Sequence, residues 1–217
     1  MVLGRTQSSV SGAQPFTGLS LARALRVPAF SYAANLDSSG HTYFMLGDYH
    51  QALETSREVI GYVGPLALMT LGREQEAVAL ARRMESTSAL LPLVRCFFSS
   101  ARALAEGARG EAIALSERAI ALIARGPEEL FQQARHLAYL AEPDRALAIL
   151  ARAVDEGFFC YPALPRDPWL YALRANPRFE AILQRARERH TAAVQAFVEA
   201  GGEQILGVGT ALASMPA

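Results

Sequence analysis

Between about residue 30 and residue 200 the apolar positions fall at helical spacing, and no stretch alternates with period two over a useful length. Alanine and leucine dominate this span and β-branched clusters are few, so the chain reads as all-α. The pattern predicts helices over 30–46, 48–61, 65–71, 73–87, 89–106, 110–125, 127–141, 143–156, 168–174 and 177–200, with a further short helix at Leu19–Arg26 ending before Pro28. The boundaries are punctuated. Gly47-Asp48 supplies a left-handed stop followed by an N-cap. Gly126-Pro127-Glu128-Glu129 and Glu142-Pro143-Asp144 each place proline at a first helical position with carboxylates near the positive end of the helix dipole. Asp167-Pro168 and Asn176-Pro177 put a capping side chain before the proline, and Gly201-Gly202 closes the last helix.

A second periodicity lies over the first. Glycine precedes alanine by five residues at Gly47/Ala52, Gly72/Ala77 and Gly107/Ala112, and Ala141 stands in the glycine slot before Ala146. The successive alanines are 25, 35 and 34 residues apart. A period of about 34 residues is that of a helix–turn–helix unit, which cannot bury its apolar face alone and stacks with its neighbours into a solenoid.

The residues around the first alanine are more specific. Gly40, Tyr43, Gly47 and Tyr49 stand twelve, nine, five and three before Ala52, and Pro65 follows at the close of the unit. Asn35–Pro65 thereby resembles a tetratricopeptide repeat. Helical spacing directs Tyr43, Leu46, Tyr49 and Leu53 to one interior. The units around Ala112 and Ala146 keep the small residues Gly107, Ser116, Ala119, Ala134 and Ala153, with Ala103 and Leu137 replacing tyrosine; the unit around Ala77 has a short first helix. The run Gly157-Phe158-Phe159-Cys160-Tyr161, with Arg166-Asp167-Pro168-Trp169-Leu170 and Pro177-Arg178-Phe179, is similar to the closing segment of bacterial tetratricopeptide arrays associated with serine/threonine kinases, nucleotide cyclases or winged-helix regulators. The resemblance implies an α–α superhelix of about four irregular tetratricopeptide-like hairpins with a C-terminal capping helix. The expected organisation is a flexible arm over 1–18, the repeat array over 19–157, a capping segment over 158–202 and a flexible tail over 203–217. Trp169 and the phenylalanines near 158 are expected to plug the exposed end of the last hairpin.

In that family the first helix of each hairpin lines a concave groove. Its exposed face here is expected to carry Asp37, His41, Phe44 and Met45, then Val94, Phe97 and Ala101, then Phe131, Arg135 and Tyr139. The resemblance therefore implies a scaffold or regulatory module that binds a peptide or helix there. Only Asn35 and Arg135 fit the cationic clamp that some members use for acidic peptide tails, so such tails are not the expected partner. The alternatives are a sensory or regulatory portion detached from a larger bacterial signalling protein and, further off, a helical enzyme.

Composition narrows these classes. The 217 residues carry 21 basic and 21 acidic side chains, and every basic one is arginine. Neutral balance speaks against nucleic-acid and membrane-surface binding, which need clustered positive charge. Cys96 and Cys160 form no paired motif, and both are expected to be reduced structural thiols in a cytoplasmic protein. His41, His50, His136 and His190 show no metal-ligand spacing, and His136 is expected to be a structural or surface histidine. There is no glycine-rich phosphate loop with lysine, no HRD or DFG, and no GxSxG. No catalytic residue, metal or cofactor is assigned.

Overall fold

Every turn that the glycine–alanine spacing marks is left-handed. Gly47, Gly72 and Gly107 have φ of 84°, 70° and 69°, and Ala141 takes 56° in the same place. At each, the residue's own N–H reaches the carbonyl three back (Phe44, Met69, Leu104, Ala138) and the next N–H reaches the carbonyl five back (Tyr43, Leu68, Ala103, Leu137). This is the paired terminal bonding that stops a helix and turns the chain. Five residues on, Ala52, Ala77, Ala112 and Ala146 are all fully buried, the small side chain letting two backbones come close. Replacing Ala141 by glycine removes a left-handed alanine, an arrangement costing about 1–2 kcal/mol, against a smaller entropic penalty. Ala141→Gly is therefore expected to raise unfolding stability by about 0.5–1 kcal/mol in urea titrations; a lower midpoint would contradict this.

The computed structural model describes residues 38–58, 62–86, 92–123 and 126–202. Among these, all regular structure is helical: α1 (Ser38–Leu46), α2 (Tyr49–Glu58), α3 (Val63–Thr70), α4 (Glu74–Glu85), α5 (Pro92–Ala105), α6 (Arg109–Leu122), α7 (Pro127–Tyr139), α8 (Pro143–Glu156), a 3₁₀ helix (Pro168–Leu173) and α9 (Pro177–Glu199). The predicted boundaries hold to within a few residues, with α8 matching at both ends. The segment over 168–174 is 3₁₀ rather than α. The arm over 1–18, the helix at Leu19–Arg26, the first part of 30–46 and the tail over 203–217 fall outside the described residues.

Consecutive helices pack on each other from α1 through α8, and α8 packs on α9. Odd-numbered helices also touch their odd neighbours, α1 on α3 and α3 on α5, while the 3₁₀ helix packs on α7. The caps anticipated from sequence form. Asp48 accepts from Gln51 N–H at 3.1 Å, Asp167 from Trp169 N–H at 2.9 Å and Asn176 from Arg178 N–H at 2.9 Å. Glu142 does not cap α8 with its side chain; its carboxylate pairs with Arg109 of α6 at 2.5 Å. Similar arginine–carboxylate pairs tie neighbouring hairpins, Arg82 to Glu106, Arg145 to Glu117 and Arg178 to Asp144.

The core has two parts. One gathers α1 to α6 and takes in Leu140 and Trp169. The other gathers α7, α8, the 3₁₀ helix and α9 and takes in Phe97 and Ile123. Leu46, expected to face the interior with Tyr43, Tyr49 and Leu53, instead stands 70% exposed at the end of α1, where the helix stops one residue before the turn. Cys96 is buried as expected, but Cys160 is exposed in the loop after α8.

Candidate functional site

The element that organises the interior is α7. Leu130 through Ala138 are buried without a break, so this helix has no solvent face over two turns. Four of those residues are polar: Gln132, Gln133, Arg135 and His136. Each brings into the core a group that must find a partner there.

Arg135 has no exposed surface. Its Nε lies 2.8 Å from Oδ2 of Asp167, with the N–H directed off the line to that oxygen, and its Nη1 donates to Gln132 Oε1 at 2.7 Å. The guanidinium sits 4.3 Å over the Phe44 ring, 5.5 Å from that of Phe131 and 5.6 Å from that of Trp169. Three aromatic faces and one carboxylate thus hold the cation, each supplying negative potential. Asp167 does double work, since its Oδ1 caps the 3₁₀ helix. Arg135 consequently joins α1, α7 and the segment after α8. Burial and, next, the Asp167 charge push the Tyr49 hydroxyl above its usual pKa.

His136, on the following face of α7, is also fully buried. Nδ1 lies 2.8 Å from Ser100 Oγ, and Nε2 bonds Tyr62 OH. The neutral ring donates to one hydroxyl and accepts from the other. Burial, seconded by the Arg135 charge, lowers the His136 pKa to about 3. Ser100 and His136 have the separation of a nucleophile and its base. However, both are sealed from solvent, and a histidine titrating near 3 is a poor proton acceptor at neutral pH. The pair is a structural link between α5 and α7.

His41 of α1 makes the third connection to α7. Nδ1 stands 2.8 Å from Glu128 Oε1, and Nε2 stands 2.5 Å from Gln132 Nε2. The hydrogen bond from His41 holds the Glu128 carboxyl below the usual range.

The side chains expected to line a concave groove can now be placed. Phe44, Phe97, Phe131 and Arg135 are buried, at 2%, 8%, 0% and 0% exposure. His41 and Met45 are partly covered, Tyr139 is 52% exposed, and Asp37 lies outside the described residues. The residues expected to be exposed along a groove are thus largely interior, and several of them touch one another or shared neighbours. Phe44 meets Arg135, Tyr62 lies 6.4 Å from His41 and 5.0 Å from Phe97, and Tyr139 stacks on Trp169 at 4.6 Å. But the face is closed. α1 rests on α7, and Trp169 fills the interior, its Nε1 donating to Thr70 of α3 at 2.9 Å. Trp169 therefore reaches back to the earlier hairpins, whereas Phe158 covers the last one by stacking on Phe131 at 4.2 Å.

What stays accessible includes apolar side chains at the ends of α1 and α7 and in the 3₁₀ helix. Leu46 and Tyr171 are each 70% exposed, and Tyr139, stacked on Trp169, is about half exposed. Between α1 and the 3₁₀ helix lies a shallow cleft of about 40 Å³, lined by Phe44, Met45, Leu46, Tyr49, Asp167 and Pro168 among others. It is large enough for a water or two and no more. Sequence reasoning missed Leu46, Tyr171 and Asp167 as members of this region; the partial signal was an apolar side chain immediately before a left-handed turn.

Among the described residues no group of three or more His, Cys, Asp or Glu side chains is placed to hold a metal ion, and no helix is long and apolar enough to cross a membrane. Neither a family model, nor a curated protein, nor a solved structure matches the chain.

Proposed function

We propose that this chain is a protein-interaction module of the tetratricopeptide type, an α-solenoid of irregular hairpins whose partner docks on the rim rather than in the groove. The supporting observation is that Leu46, Tyr139 and Tyr171, at the ends of α1 and α7 and in the 3₁₀ helix, are large apolar side chains left exposed. Large apolar side chains rimmed by polar groups mark contact surfaces, and tyrosine contributes wide contact area at small entropic cost. The repeated left-handed turns and buried alanines support the repeat type. The sealed Ser100–His136 pair favours binding over catalysis. A peptide or amphipathic helix with apolar anchors at helical spacing is the partner class that suits such a surface.

Affinity capture with the parent and with a Leu46→Glu, Tyr171→Ala variant tests this. Both side chains are exposed, so the variant should keep its helical circular dichroism. The expected result is a partner held by the parent and lost from the variant. Equal capture by both proteins would remove the rim from consideration.

A further inference from the structure

Helix α1 meets α7 through side chains. Phe44 lies under the Arg135 guanidinium at 4.3 Å, and His41 contacts both Glu128 and Gln132. The His41 contacts belong to one chain of hydrogen bonds whose direction is fixed by its donors.

Arginine can only donate. Arg135 Nη1 donates to Gln132 Oε1 at 2.7 Å, so the amide nitrogen is the end turned to His41. That nitrogen also only donates, so His41 Nε2, 2.5 Å away, accepts and carries no proton. The ring proton is therefore on Nδ1, which donates to Glu128 Oε1 at 2.8 Å. From the buried cation to the carboxylate every place is filled, and the imidazole between them is neutral.

A second proton on His41 finds no acceptor. On Nε2 it would face the N–H groups of Gln132. Turning the amide over relieves that clash but sets its NH2 group against Arg135 Nη1. The guanidinium is wholly buried and has little else to bond: its Nη2 has no hydrogen-bond partner among the described residues, and its Nε–H is off line to Asp167. A buried donor that loses its acceptor costs more than an ordinary hydrogen bond gains. The opposing effect is attraction between an imidazolium and Glu128. The Glu128 side chain is 53% exposed, so water screens that pair and weakens it. Other ionisable groups do not change the sign. Tyr62 lies 6.4 Å away, ring edge to ring, and its hydroxyl is taken by His136. Helix α3 carries no charged residue, and His50 and Glu54 of α2 are exposed.

We infer that His41 is a proton-sensitive latch: the neutral ring holds α1 on α7, and a second proton releases α1 and uncovers the inner face of Phe44, Phe131 and Arg135. The face that is closed at neutral pH thus opens in acid. This goes beyond docking on the rim and does not rest on it.

Histidine changes charge between about pH 5 and pH 8, so exchange of the amides over 42–48, measured by mass spectrometry at those two values, tests the latch. Dividing by the exchange of the α8 amides in the same sample cancels the general effect of pH and any loss of the whole fold. A helix of nine residues has little stability once detached, so release shows as exchange. The ratio should rise about tenfold or more from about pH 8 to about pH 5 in the parent. In His41→Gln it should stay level, since glutamine accepts from Gln132 and donates to Glu128 without titrating. In Gln132→Glu it should also stay level, because the carboxylate accepts from Arg135 and from a doubly protonated His41 together. A level ratio in the parent would overturn the inference. So would a falling one, which would show that the imidazolium–Glu128 pair tightens the contact. A rise as large as the parent's in either variant would remove His41, or its clash with Gln132, as the cause and overturn it too.

Discussion

Replacing Arg135 by methionine is expected to destabilise the protein by about 3–5 kcal/mol, because the change leaves the Asp167 carboxylate buried without its cation. Asp167 has only 2% of its side chain exposed and cannot recover water without the segment before the 3₁₀ helix lifting away. The loss has a second part, since the guanidinium stands over the rings of Phe44, Phe131 and Trp169. Methionine fills much of that volume but gives up the attraction to the rings. The double variant Arg135→Met, Asp167→Asn distinguishes charge from packing. Asparagine keeps the oxygen that caps Trp169 and carries no charge, so the double variant should be more stable than Arg135→Met alone. Urea titration followed through Trp169, the sole tryptophan, reads the difference. Simple additivity would show that the 2.8 Å contact contributes no coupling.

A comparably large effect is expected from acid. His136 has its pKa lowered to about 3 in the folded chain against about 6.5 unfolded. Below 6.5 the unfolded chain takes up a proton that the folded one refuses, so stability falls as the pH falls. The contribution is complete above 6.5 and lost progressively down to about 3, at about 1.4 kcal/mol per pH unit. The total is on the order of 4–5 kcal/mol. Glutamine at 136 retains hydrogen-bonding capacity without titrating. Stability profiles of the parent and His136→Gln should therefore converge as the pH drops from 6.5 towards 4. Parallel profiles would show that the ring is not held neutral by the core.

The parts of the fold that were legible are those where one residue type has one physical use. A glycine five before an alanine marks a left-handed turn and then a close helix crossing, and Gly47, Gly72 and Gly107 are followed by Ala52, Ala77 and Ala112 at no measurable exposure. Proline after a capping side chain fixes a helix start, so Asn176-Pro177 opens α9 where expected. The interior of α7 was not legible for the converse reason. Gln132, Gln133, Arg135 and His136 give that helix the polar positions of a solvated face, and their partners stand far away in sequence, Asp167 on a loop, Ser100 on α5 and His41 on α1. Asp167 was assigned only its local task as a cap, which uses one of its two oxygens. Phe44, Phe97, Phe131 and Arg135, expected on an exposed groove face, are buried instead, because side chains of α1 and α7 meet over them, and periodicity carries no information on that distance. Gln133, whose side-chain amide has no hydrogen-bond partner among the described residues, has no account in these terms.

Closure of the inner face is the feature on which the rim-binding proposal rests, and thiol crosslinking tests it most directly. Cysteine introduced at His41 and at Glu128, in a chain with Cys96→Ala and Cys160→Ser, places one thiol on α1 and one on α7 where the parent side chains meet at 2.8 Å. A short bifunctional thiol reagent should join them within one molecule, while pairing His41→Cys with a cysteine at exposed Glu180 on α9 should give no intramolecular product. Failure of the 41–128 pair to crosslink in a chain that keeps its helical circular dichroism would contradict the closed axis and return Phe44, Phe131 and Arg135 to an open groove.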